Sequence, residues 1–270
     1  MGTWGYGLFQ SDHDLDTVSD FDAEAGLYKL SKVAIKAANL KEEAAGKGNK
    51  SKGDAKAAED DDYEYDERFY YTMYNGGSDP ELVRKHLDSG VIVKLIAKYE
   101  RAMSAPRDKY DFIDPGYTFV LLGACAMSVG ATLPESYLKQ CRRKFRYVSF
   151  MPDALLQLHK ALNDKTKGYK NGVPYDFESM GLHDTMMQST DRKPNANGMI
   201  GMNVPAPFGL FKGPEGPNIE FPDGVCGGCG SEKGDDGQDL MVCSKCKKKK
   251  YCDKQCQQEH WKAHKKTCKA

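Results

Sequence analysis

The sequence predicts a mainly α chain in two unequal parts, a helical N-terminal domain and a small C-terminal module. Three observations predict it. Apolar residues recur at helical spacing in stretch after stretch of the first two thirds of the chain. A segment rich in Gly, Pro, Asn and Met follows, with the composition of a linker. The last stretch then holds seven of the nine cysteines, in ordered pairs. The expected boundaries are residues 1–187 for the helical domain, 188–224 for the linker and 225–269 for the C-terminal module. Formal net charge is zero, so no global charge points to nucleic acid. No run of about 18 apolar residues predicts a membrane span. Gly2 is followed by Tyr6 where the myristoylation pattern needs Ser or Thr. With no secretory leader read, the expected compartment is reducing: an intracellular protein of nucleus or cytoplasm.

The opening, MGTWGYGLFQSDHDLDTVSDF, alternates aromatics with glycines and reads as a tight, packed turn. It resembles a family of uncharacterised helical domains that open with MGTWG. Ser11 or Asp12 is placed to cap a first helix. Trp4 and Phe9 are read as core. The acids Asp12, Asp14, Asp16, Asp20 and Asp22 lack the glycine hinge and distal glutamate of a calcium loop, so capping and solvated charge are expected. Leu27, Leu30, Val33, Ala34, Ala37 and Ala38 place a second helix over 27–40. Residues 41–62 are nearly free of large apolar side chains and read as a disordered insert.

Order is expected again from Arg68. The aromatics Phe69, Tyr70, Tyr71 and Tyr74 lead into a turn at Asn75-Gly76-Gly77. Ser78 or Asp79 caps the next helix, with Pro80 at its first position and Leu82, Val83 and Leu87 on one face. A further helix after Gly90 carries Val91, Leu95, Ile96 and Tyr99. Asp114-Pro115 opens GYTFVLLGACAMSVGATLP, too short and too broken by glycine to cross a membrane. It reads as the central buried helix, with Cys125 an inert buried thiol. Pro134 starts a helix whose Lys139, Arg142, Arg143 and Lys144, with Arg146 just beyond, are read as the outer face of an amphipathic element. The last helix follows Pro152, with Leu155, Leu158, His159 and Leu162 at helical spacing and His159 at the core edge. Tyr169, Tyr175 and Phe177 are expected to fold back on the helices.

The C-terminal cysteines decide the rest. Cys226 and Cys229 are spaced C-x2-C, and Cys243 and Cys246 repeat that spacing. Cys252 and Cys256 are C-x3-C, and His264 with Cys268 closes the series as H-x3-C. Each close pair bites one metal from a knuckle or a helical turn. Zinc in a structural site takes four such ligands, so eight ligands make two closed zinc sites. A disulfide framework is disfavoured, because seven is odd and the expected compartment is reducing. Residues 253–266 contain no Pro or Gly and read as a helix capped by Asp253, on which Cys256, His260, His264 and Cys268 share a face. His260 is the rival to His264 as ligand and is read instead as an outer-shell or surface residue. Trp261 is placed to pack over a site.

The words VCGGC, VCSKC, YCDKQCQ and HWKAHKKTC resemble a MYND-type zinc finger. Tyr251, Gln257, His260 and Trp261 fit the family's pattern around the ligands, and the loop GSEKGDDGQD is longer than usual. The resemblance implies an interleaved pairing. Cys226, Cys229, Cys252 and Cys256 would hold the first zinc, and Cys243, Cys246, His264 and Cys268 the second. It also implies a protein-interaction adaptor whose finger docks a protein partner, including proline-containing peptides, in transcriptional or signalling assemblies. The linker words Val204, Pro205, Pro207, Phe208 and Leu210 are then candidates to dock on the chain's own finger. Two alternatives are weaker. An enzyme of methyltransferase type would need a glycine-rich cofactor loop that the sequence does not show. Nucleic-acid binding through Lys247–Lys250 is opposed by Asp253 and Glu259, which interrupt the basic helix.

Overall fold

The structure, a computed structural model, describes residues 2–45, 66–106, 114–179, 220–234 and 237–269. The insert beyond Ala45 and the proline-bearing words at 203–217 therefore lie outside the described residues. The helical part contains α1 (Asp12–Ala25), α2 (Leu27–Ala44), α3 (Pro80–His86), α4 (Ile92–Ser104), α5 (Pro115–Val129), α6 (Glu135–Lys144) and α7 (Pro152–Asn163). The C-terminal module contains strands β1 (Met241–Val242) and β2 (Lys250–Tyr251) and helix α8 (Lys254–His264).

Local chemistry sets the helix starts. Ser11 accepts from the Asp14 amide, Asp79 from Leu82 with Pro80 next, and Asp114 from Gly116 with Pro115 next. Each side chain satisfies an amide that the helix itself leaves unpaired. Gly26, at φ 77°, ends α1 and starts α2 without a break. Between α3 and α4 the chain makes a wide turn, Leu87–Val91, in which Gly90 sits at φ 104°. That angle is open to glycine and strained for other residues.

α5 is the centre of the domain. Gly116 through Met127 and then Val129 are buried, and α1, α3, α4 and α6 pack around the helix. Burying each of its large side chains contributes about 1.5–3 kcal/mol relative to exposure. The opening segment closes one end of the bundle. Thr3 pairs with Ser11 as a short bridge, and Gln157 of α7 accepts from the Leu8 amide. Phe9 is core, whereas Trp4 is only half-buried. Phe177 is buried against Phe9 and Tyr175, and the Tyr169 hydroxyl donates to the Ala131 carbonyl at 2.8 Å, so the chain after α7 does fold back.

Several expectations need correction. α2 runs to Ala44, so the start of the expected insert is helix. Leu82 points to solvent, because on the short α3 only Val83 faces α5. Asp14 and Asp22 are not solvated charges. Asp14 accepts from the Phe9 amide at 2.8 Å and from the Tyr117 hydroxyl, and Asp22 accepts from the Met73 amide at 2.6 Å. Both are polar staples between segments, and burial raises both pKa values, that of Asp22 to about 6. The largest correction concerns the basic residues of α6: Lys139, Arg143 and Lys144, with Arg146 just beyond, meet the C-terminal module, while Arg142 bonds the Leu162 carbonyl and Glu135 inside the helical domain.

Candidate metal centre and the face that holds it

The first knuckle is a tight turn. Gly230 N–H donates to Cys226 O at 2.8 Å, and Gly228 N–H points at Cys226 Sγ at 3.4 Å. A Cβ on Gly228 would stand 2.6 Å from the Cβ of Cys256, so glycine is required for the knuckle to approach α8. The second knuckle is closed by Lys247 N–H to Cys243 O at 3.0 Å, with Lys247 in the left-handed region at φ 57°. β1 and β2 pair antiparallel and carry this knuckle between them. Asp253 caps α8 through the Cys256 amide at 2.7 Å, which fixes Cys252 and Cys256 on one side of its first turn. At the other end Cys268 N–H donates to His264 O at 2.9 Å.

These turns bring the eight predicted ligands into two groups. Cys226, Cys229, Cys252 and Cys256 form one, and Cys243, Cys246, His264 and Cys268 the other, with ligand atoms within 4.8 Å of one another in each. The grouping is the interleaved one, so the two knuckles and α8 are tied together at two points. A zinc tetrahedron with Zn–S near 2.3 Å has S···S edges of about 3.8 Å. The contacts Cys229–Cys252 at 3.5 Å, Cys252–Cys256 at 3.4 Å and Cys243–Cys268 at 3.8 Å lie near that edge. A disulfide would need a sulfur separation near 2.05 Å. His264 turns Nε2 toward Cys246 Sγ at 3.4 Å, so Nε2 is the atom it would offer a metal. The donor sets fit one zinc site of four cysteines and one of three cysteines and a histidine, each closed by four protein ligands.

The two sites differ in their surroundings. All four cysteines of the first are buried, whereas Cys246 of the second is half-exposed. The amides of Lys249 and Lys248 point at Cys246 and lower its pKa to about 6, so this thiolate forms readily. His260 belongs to neither group. It is buried rather than on the surface, and its Nδ1 lies 3.1 Å from the Tyr251 hydroxyl. Burial lowers its pKa to about 4. Tyr251, fully buried, is the apolar centre of the module. Trp261 meets the edge of His264 at 5.9 Å and is 42 % exposed.

The helical domain grips the first site. Arg143 of α6, 7 % exposed, donates from Nε to Cys256 Sγ at 3.1 Å and from Nη1 to Gln255 at 3.0 Å, and its Nη2 pairs with Asp253. Lys139 reaches the same Asp253 carboxylate at 3.1 Å, and Lys144 reaches Glu259 at 3.4 Å. Arg146, in the turn after α6, donates to the carbonyls of Gly227 at 3.1 Å and Gly228 at 2.5 Å. Its guanidinium lies over the Phe221 ring at 4.4 Å, and His159 of α7 flanks that ring. Phe221 is therefore anchored, although it falls within the expected linker. Charge periodicity on α6 showed where the cations lie but not what they face, and this second layer was missed for that reason.

Residues 226–268 match the model of the MYND finger family. This segment is a MYND finger. The matched residues include all eight members of the two clusters, which fit two zinc ions. The finger is a zinc-binding protein-interaction module. No curated protein and no solved structure matches the chain. The match does not reach the helical domain, so the likeness of the MGTWG opening to an uncharacterised family gains no support from it.

Proposed function

We propose that the protein is an adaptor whose finger docks a protein partner, including proline-containing peptides, while the helical domain carries it. The observation that carries this reading is the division of the finger into two faces. The helical domain covers the face around the first cluster. The face around the second leaves Trp261, Met241 and Val242 exposed. Trp261 lies against His264, and Met241 and Val242 lead into Cys243; exposed large apolar side chains beside one cluster mark a surface for a partner rather than solvent. Among the described residues β1 pairs with β2 on one side only, and such an edge accepts an extended peptide by backbone hydrogen bonds. The zincs act by fixing this surface: with four protein ligands apiece they activate no water. The ligands would be Cys226, Cys229, Cys252 and Cys256 for the first and Cys243, Cys246, His264 and Cys268 for the second. A reducing nucleus or cytoplasm keeps these thiolates available. Among the described residues no helix is long and apolar enough to cross a membrane.

The test is recovery of partners from a native extract by the intact protein, by Trp261→Ala and by the double variant Cys243→Ser, Cys246→Ser. A set of proteins lost with both variants, while far-UV circular dichroism of the helical domain is unchanged, supports the reading. An unchanged set removes the finger as the docking surface.

A further inference from the structure

Four thiolates on one Zn2+ leave a net charge of about −2, and three thiolates with a neutral imidazole leave about −1. A buried dianion needs cations beside it, because desolvation is uncompensated otherwise. At the first cluster those cations come from outside the finger. Arg143 bonds Cys256 Sγ directly, and the charges of Cys226, Cys229 and Cys256 all act on Arg146. Arg146 also pins the two carbonyls between Cys226 and Cys229. Two guanidiniums thus balance the charge of the four-cysteine site and hold one knuckle and the first turn of α8 against each other. The second cluster has no such clasp from the helical domain among the described residues; the backbone amides of Lys248 and Lys249 point at Cys246, which is half-exposed.

We infer that Arg143 and Arg146 are positioning residues of the first zinc site, and that they make its metal the slow one to leave. Zinc leaves such a site when a sulfur swings away or a competing ligand enters. The guanidinium bonded to Cys256 Sγ holds that sulfur in place, and a knuckle pinned at two carbonyls cannot open to admit a chelator. Partners of this kind, one layer beyond the ligands, typically change metal affinity by 10–100-fold. The second zinc, held by the finger alone, exchanges quickly. The finger is therefore fastened to the helical domain at the metal that persists, and the face proposed for partners is built on the metal that exchanges.

The test uses the full, zinc-loaded chain with an excess of a chromogenic chelator, 4-(2-pyridylazo)resorcinol. The wild type should release two zincs in two phases separated by about tenfold or more. The double variant Cys243→Ser, Cys246→Ser should show the slow phase alone, which assigns it to the first site. In Arg143→Met, Arg146→Met the slow phase should accelerate by about tenfold or more. Arg143→Lys keeps the charge but not the fork and should fall between. Lys139→Met, Lys144→Met removes two domain-to-finger ion pairs without touching a thiolate or a knuckle carbonyl, and should leave the slow phase unchanged. A single phase in the wild type, an unaltered slow phase in the arginine variant, or equal acceleration in the lysine variant would each overturn the assignment. If the methionine variant fails to fold, by circular dichroism at 222 nm, Arg143→Lys and Arg146→Lys separately decide the question by the same readout.

Discussion

The two parts of this protein contain helices of similar length and are held together by different physics. The helical domain is stabilised by apolar burial: α5 is surrounded on all sides, and one continuous core runs from Leu8 to Phe177. The finger has no such core. Apart from Tyr251, its buried residues are mostly the cysteines themselves and two histidines. So short a segment with so little apolar interior folds by coordinating metal, with each zinc contributing on the order of 10 kcal/mol of folding free energy. The difference teaches that helix content alone says little about stability. α7 and α8 have almost the same length, yet one depends on Leu155 and Leu158 and the other on Cys256 and His264.

Chelation breaks the comparison hardest. Prolonged treatment with excess EDTA should unfold the finger entirely and leave α1–α7 folded, seen as loss of the finger's amide resonances while those of α5 persist. Loss of both sets together would mean that the helical domain also depends on zinc. The converse is Phe119→Ala in the centre of α5. A large buried aromatic cut to alanine costs about 3–5 kcal/mol, and the variant should lower the urea midpoint of the helical domain while zinc stoichiometry stays at two.

A smaller effect separates the two parts by pH. Asp22 has its pKa raised from 3.8 to about 6 by burial, despite its bond from the Met73 amide. The folded state therefore holds this proton more tightly than the unfolded state. The contribution is fully present below pH 4 and is lost as pH rises through 6, a change of at most about 3 kcal/mol. Thiolate sites run the other way, gaining metal as pH rises. Asp22→Asn should flatten the fall in helical-domain stability between pH 4 and 6 relative to wild type. A parallel pair of curves would show that Asp22 does not titrate there. The mildest test is chemical. Burial raises the pKa of Cys125 well above the usual range and that of Cys141 to about 12. Neither should be alkylated by iodoacetamide in the native zinc-bound protein, whereas both should react in urea.

The sequence made local features readable and left cross-chain ones hidden. The knuckles, the cap Asp253, the first caps to within one residue (Ser11 or Asp12, Ser78 or Asp79), and the buried run of α5 after Asp114-Pro115 were legible, because spacing and capping chemistry act within a few residues. The interleaving of the eight ligands came from family resemblance rather than from spacing. The partners of Arg143 and Arg146 stand about 80 to 110 residues away in the chain. No periodicity on α6 reports them, and a cationic stripe reads the same whether it faces solvent or a thiolate cluster. Asp14 and Asp22 were misread for a related reason. Asp14 accepting from the Tyr117 hydroxyl and Asp22 from the Met73 amide are tertiary events, and composition alone makes an acid look solvated.

The contrast between the two parts depends on residues 226–268 folding around two structural zincs in two closed groups. Native mass spectrometry of the intact chain, beside Cys243→Ser, Cys246→Ser, tests it most directly. The wild type should carry two zincs and the variant one, with no mass deficit from disulfides in either. A wild type that carries fewer than two metals, or that loses two mass units for each cysteine pair on oxidation to a bridged, metal-free form, would contradict it.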